Sequence, residues 1–320
     1  MRRQGLRNSL VLVAVLAAAC GCSRRGAPPD PEPVPGRGDV GDSAAPPEVP
    51  EPAPAAAADA SPTVERPIEP PAPLPGAEAN VPEAVEFESP DGVTLHADLW
   101  RTGDPEAPAL VLVHQARSDR SEWAPLVAAL RSRAPGLTVL ALDLRGHGAS
   151  TLAGDATIRW QDLASGDRAG LRRWAGCTAD VQAAIAWLRG REEGSIPRAI
   201  GLVGSSIGAS SALRAAANDG VAGPGRIAAV VVLSPGLSYF SVPILGAVET
   251  LKMRKLPVLL VGARDDSADV GGTAQQMAEI LGDILELHLF DGGGHGVAIL
   301  DAHPEVVPIL IDFLKSRLGL

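Results

Sequence analysis

The sequence predicts an α/β protein built on a mostly parallel, doubly wound sheet of about eight strands. Short, unbroken apolar runs alternate with longer stretches of helical periodicity after residue 82, and such runs are typical of parallel strands covered on both faces. An antiparallel hairpin precedes them, because residues 85–88 and 93–101 flank the turn-forming tetrapeptide Ser-Pro-Asp-Gly at 89–92. A hairpin followed by β-α repeats is the pattern of a doubly wound fold.

Six further strands and five helices are predicted after the hairpin. The strands are expected at residues 109–113, 138–142, 199–203, 228–233, 257–261 and 285–290. The helices are expected at residues 121–133, 178–189, 207–218, 272–281 and 304–318. The longest connection, residues 151–176, is predicted to form a flap over the site, because long connections in compact domains are usually functional.

Composition divides the chain into three parts, residues 1–22, 23–82 and 83–320. The middle part consists mostly of proline, alanine, glutamate and aspartate, with few large apolar side chains, so it cannot bury enough surface to offset its ordering entropy. We expect a disordered linker there. The last part is rich in valine, leucine, isoleucine and alanine and is long enough to form one buried core.

The first 22 residues have the pattern of an export signal. Several arginines precede the apolar run 10–19, which is too short to span a bilayer. The small residues 17–19 before Cys20 resemble the lipobox of bacterial lipoproteins, although Ala17 stands where that motif usually has leucine. The resemblance implies that Cys20 is acylated and anchors the protein to a membrane, facing the periplasm or the cell surface. Cys22 is the alternative acylation site, and an ordinary cleaved signal peptide is the alternative interpretation.

Charge and side-chain content exclude several classes of function. The formal net charge of −10 leaves no basic face for phosphates, so no nucleic-acid partner is predicted. Of the three cysteines only Cys177 lies in the predicted domain, so an intradomain disulfide is impossible. His96, His288 and His303 have no partners at metal-ligand spacing, and we predict neither a metal nor a cofactor.

A candidate nucleophile lies in the pentapeptide Gly-Ser-Ser-Ile-Gly at residues 204–208, which matches the pattern G-x-S-x-G. A strand-like run precedes it and a helix-like run follows it. Glycines on both sides of a tight strand-to-helix turn leave the hydroxyl of Ser206 clear of the backbone. The helix beginning at Ile207 offers a free N–H and a positive dipole end to a developing oxyanion.

A histidine and a carboxylate that could activate Ser206 follow in the chain. His295 lies among glycines after the last predicted strand, and Asp265 and Asp266 follow the preceding one. Both strand ends are expected at the edge of the sheet that carries Ser206. We predict that His295 accepts the serine proton and that Asp265 orients it, on the G-x-x-D spacing, with Asp266 and then Asp269 as alternatives.

On these residues the chain resembles the α/β-hydrolase superfamily from about Val85 to its end. The segment Leu-Val-His-Gln-Ala at 112–116 occupies the place of the family's strand-end His-Gly-x motif, which implies an oxyanion hole formed by the backbone N–H groups of Ala116 and Ile207. Gln115 replaces the family's glycine. Residues 118–123 further resemble a loop of simple serine esterases and dienelactone-hydrolase-like members.

Residues 143–150 match the family's D-x-R-G-x-G-x-S turn, which implies a structural role for His147. Only about twenty residues separate Ser234 from Leu256, where many family members insert a large lid, so no large lid is predicted. Four side chains near strand ends are candidates for contact with substrate, and core packing is the alternative for the aromatic ones. The four are Gln115, Trp123, Tyr239 and Phe240.

These observations predict a carboxylic-ester hydrolase that works through an acyl-enzyme on Ser206, with water as the second nucleophile. Its partners would be a small-molecule ester and, through the lipid, a membrane. Three alternatives remain open on the sequence: an acyltransferase, an amidase or peptidase with the same triad, and a non-catalytic binding lipoprotein. A dehalogenase is disfavoured because it would need aspartate at position 206.

Overall fold

The computed structural model describes residues 81–164, 174–190, 195–268 and 270–320. The predicted signal peptide, nearly all of the predicted linker and Asp269 lie outside the described residues. Twelve strands are described, and they are numbered in chain order. They are β1 Glu83–Glu88, β2 Val93–Trp100, β3 Ala109–Val113, β4 Thr138–Leu142, β5 Leu152–Ala153, β6 Ala156–Thr157, β7 Ile200–Ser205, β8 Ile227–Leu233, β9 Ser238–Tyr239, β10 Val242–Pro243, β11 Val258–Ala263 and β12 Leu285–Phe290.

Ten of these strands form one sheet, in which the eight longer strands lie in the order β1-β2-β4-β3-β7-β8-β11-β12. The six strands from β4 to β12 in this order pair in parallel, and the hairpin β1–β2 is antiparallel. The predicted architecture is therefore confirmed. The sequence pattern missed the short strands β5, β6, β9 and β10, because two-residue strands leave no periodicity to detect.

Helices cover both faces of the sheet, which explains why β3, β4, β7 and β11 are buried at every residue. Eight α-helices are described in chain order. They are α1 Ala124–Arg133, α2 Trp160–Ala164, α3 Cys177–Gly190, α4 Ile207–Asn218, α5 Leu245–Met253, α6 Val270–Leu281, α7 Ala298–Ala302 and α8 Val306–Leu318. Helices α3 to α6 pack in the hydrophobic cluster on one face, and α1, α7 and α8 pack in the cluster on the other.

The five predicted helices are present, four of them with shifted ends, and α2, α5 and α7 were not predicted. Each of these three is short, with nine residues or fewer, so it spans too few turns for a clear helical pattern. The connection from β8 to β11 holds only β9, β10 and α5, so no large lid is inserted there. Across the described segments, no helix has both the length and the apolar character needed to cross a membrane.

The turn at residues 143–150 is held by buried charges. Arg145 is fully buried, and its guanidinium pairs with Asp180 of α3 at 2.7 Å and with Asp91 of the β1–β2 turn at 2.7 Å. Removing either carboxylate would leave a buried charge partly unpaired, which is costly. The predicted structural role of this turn therefore has a physical basis in its ion pairs.

Candidate active site

Ser206 occupies the tight turn between β7 and α4. Its φ of +53° and ψ of −116° are strained for a residue with a side chain. The turn depends on its glycines, since a Cβ at Gly204 would collide with the carbonyl of Gly208, and a Cβ at Gly208 would collide with the carbonyl of Val113. The backbone N–H of Ser206 donates to the carbonyl of Leu233 at 2.9 Å, which fixes the turn to β8.

A continuous chain of hydrogen bonds joins Ser206, His295 and Asp266. His295 Nε2 lies 2.8 Å from Ser206 Oγ, and His295 Nδ1 lies 2.8 Å and 3.0 Å from the two carboxylate oxygens of Asp266. An ionised carboxylate can only accept, so Nδ1 carries the proton and Nε2 presents its lone pair to the serine hydroxyl. This is the arrangement in which an imidazole can remove a proton from a serine.

The acid at His295 is Asp266, and the prediction of Asp265 is wrong in this geometry. Asp266 is 7% exposed and also accepts from the N–H of Ala268 at 3.0 Å, whereas Asp265 is exposed. The physical reason is the length of β11, which ends at Ala263 and not at the predicted residue 261. The chain then turns, with the N–H of Asp266 donating to the carbonyl of Ala263 at 3.4 Å, and the turn directs the second aspartate inward.

The two predicted oxyanion donors lie at the same edge of the sheet. Strands β3 and β7 are parallel neighbours with Val113 paired to Gly204, so Ala116 and Ile207 follow adjacent strand ends. Ile207 is the first residue of α4, where a helical N–H has no partner within the helix. The positions are therefore suited to hold an oxyanion beside Ser206 Oγ.

Gln115 lies between β3 and Ala116 and bonds to residues of two other segments. Its side-chain oxygen accepts from Ser205 Oγ at 3.2 Å and closely approaches Gly296, where a Cβ would collide with it. Its backbone N–H donates to Glu122 at 3.0 Å, and burial raises the pKa of Glu122 to about 7. The Gln115 amide oxygen is thus engaged within the protein, and its contact with substrate stays a prediction.

Of the other three residues predicted to contact substrate, Trp123 lies in the core, whereas Tyr239 contacts a ring of the candidate triad and precedes Phe240 in the chain. Trp123 is fully buried in the cluster that contains α1 and α8, so its assignment to a pocket is wrong. It ends the short 3-10 helix Arg120–Trp123, which turns the indole into the core ahead of α1. Tyr239 lies edge-on against the His295 ring with centroids 5.9 Å apart, and the neighbouring Phe240 is exposed.

Sequence reasoning missed Ser234, which follows β8 and is fully buried at a φ of +47°. Its hydroxyl accepts from the N–H of Gly296 at 2.9 Å, and its carbonyl accepts from the Tyr239 hydroxyl at 3.1 Å. Ser234 therefore holds the residue next to His295 and the ring that contacts His295. The available signal was its position, directly after a parallel strand that ends at the edge carrying Ser206.

His147 cannot serve as a base, because both ring nitrogens are occupied by the backbone. Nε2 accepts from the N–H of Arg117 at 3.3 Å, and Nδ1 donates to the carbonyl of Arg145 at 2.9 Å. The ring is 2% exposed, and burial lowers its pKa. Within the described segments no group of three histidine, cysteine, aspartate or glutamate side chains is arranged to hold a metal ion.

The predicted flap is described in part, and residues 165–173 lie outside the described residues. Its two tryptophans contact residues near the candidate triad. The Trp160 ring lies 5.2 Å from the guanidinium carbon of Arg117, which directly follows Ala116. Trp174 stacks on Phe240 with centroids 4.2 Å apart.

Residues 108–252 match the family described as the α/β hydrolase fold. No curated protein matches the chain in a sequence search. Among solved structures, the Pyrococcus furiosus esterase Pf2001 is 22% identical with a TM-score of 0.59, covering 76% of this chain and 94% of its own. The α/β hydrolase GrgF from Penicillium sp. sh18 is 18% identical with a TM-score of 0.54, covering 75% and 99%.

A putative aryl esterase from Burkholderia cenocepacia is 19% identical with a TM-score of 0.55, covering 74% of this chain and 100% of its own. The TM-scores of these three structures indicate a shared fold, and sequence identities below 25% show nothing beyond the fold. The strand order and the strand-to-helix turn at Ser206 agree with the family match over residues 108–252. The chain therefore has the α/β-hydrolase fold.

Proposed function

We propose that this protein hydrolyses carboxylic esters through an acyl-enzyme formed on Ser206. The observation that carries the proposal is the hydrogen-bonded chain from Asp266 through His295 to Ser206 Oγ, with 2.8 Å at each link. All three residues lie at the same edge of the sheet, each directly after the end of a different strand or in the loop beyond it.

In the first half of the proposed reaction, Ser206 Oγ attacks the ester carbonyl carbon while His295 Nε2 takes the hydroxyl proton. The N–H groups of Ala116 and Ile207 stabilise the oxyanion, and Asp266 stabilises the imidazolium. His295 then donates the proton to the departing alkoxide, which leaves as the alcohol. In the second half, His295 removes a proton from water as the water oxygen attacks the acyl carbon. The bond between that carbon and Ser206 Oγ then breaks, His295 returns the proton to Oγ, and the carboxylic acid leaves. No metal or cofactor takes part.

Two further observations favour an ester. Two of the structurally similar proteins are named as esterases, and residues 118–123 resemble a loop of simple esterases and dienelactone-hydrolase-like proteins. The connection between β8 and β11 holds only a small hairpin and one helix, which leaves little material to enclose a long acyl chain. We therefore expect small or solvent-exposed esters as substrates.

The proposal is tested with the purified full-length protein, a fluorophosphonate probe and a panel of esters of increasing acyl length. We expect covalent labelling on the peptide that contains Ser206 and fastest turnover of the short esters. A protein that neither reacts with the probe nor hydrolyses any ester of the panel would be a hydrolase-shaped binding protein.

We also propose that the protein is exported and held at a bacterial membrane by a lipid on Cys20. The apolar run 10–19, the small residues 17–19 and the proline-rich stretch that follows support this proposal. The linker at residues 23–82 would then act as a spacer between the membrane and the hydrolase domain, semi-extended where its prolines cluster.

Cys20→Ser should move the protein from the membrane fraction to the soluble fraction, because the acyl chains supply its membrane affinity. Fractionation followed by immunoblotting measures the distribution, and Cys22→Ser is the matched control, which should stay with the membrane. The reverse result, in which only Cys22→Ser releases the protein, would place the lipid on Cys22.

A further inference from the structure

Four rings stand in a row beside the candidate triad. The ring centroids of His114 and His147 are 5.0 Å apart, those of His147 and Trp174 are 5.6 Å apart, and those of Trp174 and Phe240 are 4.2 Å apart. The last pair is stacked, with planes only 16° apart. We call these four residues the ring row.

Each end of the ring row is next in the chain to a segment of the candidate site. At one end, His114 directly precedes Gln115 and Ala116, and the N–H of Arg117 donates to His147. At the other end, Phe240 directly follows Tyr239, whose ring contacts His295. The ring row therefore connects the segment that carries Ala116 with the residue that follows Tyr239, the ring in contact with His295.

The ring row is uncharged, and three of its members are buried. Burial lowers the pKa of His114 to about 3, and burial also lowers that of His147, so both imidazoles are neutral at physiological pH. Trp174 is also buried, whereas Phe240 is 48% exposed. Phe240 is therefore the member of the ring row that offers an aromatic face to solvent.

The backbone at Phe240 has a conformation that is strained for a residue with a bulky side chain. Phe240 and Ser241 form the two-residue turn between β9 and β10, with φ values of +48° and +62°. Turns of this kind favour asparagine and glycine, and a bulky aromatic residue at positive φ is strained. Such strain persists only where the surroundings enforce it, and it is commonest at functional sites.

We propose that Phe240 and the ring row form a subsite for an aromatic ring carried by the ester substrate. The inference rests on the proposed hydrolysis by Ser206 and adds the substrate class to it. An aromatic ring of the substrate would stack or pack edge-on against Phe240, and the stack on Trp174 would hold the Phe240 ring in place. The ring can belong to the alcohol or to the acid of the ester, because one end of the row adjoins the segment that carries Ala116 and the other adjoins Tyr239, which contacts His295.

The test compares kcat/KM of the full-length wild-type protein and Phe240→Ala on three esters. Benzyl acetate carries the ring on the alcohol, methyl phenylacetate carries it on the acid, and methyl acetate has none. Phe240→Ala should lower kcat/KM about tenfold more for at least one ring-bearing ester than for methyl acetate. The ester that loses rate identifies which side of the substrate carries the ring.

Phe87→Ala is the matched control, because Phe87 also stacks on a tryptophan, Trp187, at 5.4 Å, but lies on β1 at the edge of the sheet. It should leave kcat/KM unchanged for all three esters. Thermal unfolding of both variants checks that they are folded. The cyclohexyl counterpart of the slowed ester, either cyclohexylmethyl acetate or methyl cyclohexylacetate, separates an aromatic subsite from a merely apolar one. It should lose less rate in Phe240→Ala than the aromatic ester does.

Two outcomes would overturn the subsite while leaving the hydrolase intact. One is a wild-type enzyme whose relative rates on the three esters do not change in Phe240→Ala. The other is an equal loss for the ring-bearing ester that Phe240→Ala slows and for its cyclohexyl counterpart. If the wild-type protein hydrolyses none of the esters and does not react with fluorophosphonate, the hydrolase proposal itself fails, and the subsite fails with it.

Discussion

Ser206→Ala is expected to abolish ester hydrolysis and fluorophosphonate labelling together. Losing the nucleophile of such a triad lowers kcat on the order of 10⁶-fold. The change removes one oxygen atom from a residue whose strained backbone is fixed by its N–H bond to Leu233, so the fold should persist. Stopped or continuous ester assays measure kcat, mass spectrometry measures labelling, and thermal unfolding checks the fold.

Ser205→Ala is the matched control for this variant. Ser205 is the adjacent residue, but its hydroxyl donates to Gln115, whereas the serine bonded to His295 is Ser206, so labelling should be retained. His295→Ala should lose turnover to about the same extent as Ser206→Ala, because members of a triad act as a unit and their losses do not add. Labelling that survives in Ser206→Ala would refute the assignment of the nucleophile.

Asp266→Asn is expected to lower kcat about 10⁴-fold with little change in shape. The carboxylate accepts from His295 Nδ1, whereas an asparagine amide can present its own N–H there and favour the wrong imidazole tautomer. The neighbouring Asp265→Asn should leave kcat close to the wild-type value, because that side chain is exposed and is not bonded to His295.

The comparison of the two aspartates decides between the sequence pattern and the geometry. The same ester assay, run at saturating substrate, gives kcat for both variants, and a thermal melt shows whether the buried Asp266 tolerates the change. If Asp265→Asn caused the larger loss, β11 and its following turn would have to adopt another conformation during catalysis. Equal and modest losses would mean that the acid lies elsewhere.

The sequence by itself determined the architecture and the nucleophile turn. Continuous apolar runs identify strands that are covered on both faces, because only such strands can avoid polar side chains on both sides. The strand-to-helix turn at Ser206 could also be predicted, because it depends on local requirements. The small residues Gly204 and Gly208 are needed there, since a Cβ at either position would collide with a backbone carbonyl.

Only the tertiary structure decided which side chains meet. Asp265 and Asp266 are chemically identical, and two extra residues at the end of β11 place the second one against His295. The same applies to Ser234, which bonds to Gly296 across 62 residues, and to Trp174, which stacks on Phe240 from a distant connection. Local patterns predict where a strand ends to within a few residues, but the direction of a side chain beyond that end depends on the exact residue and on the loops packed around it.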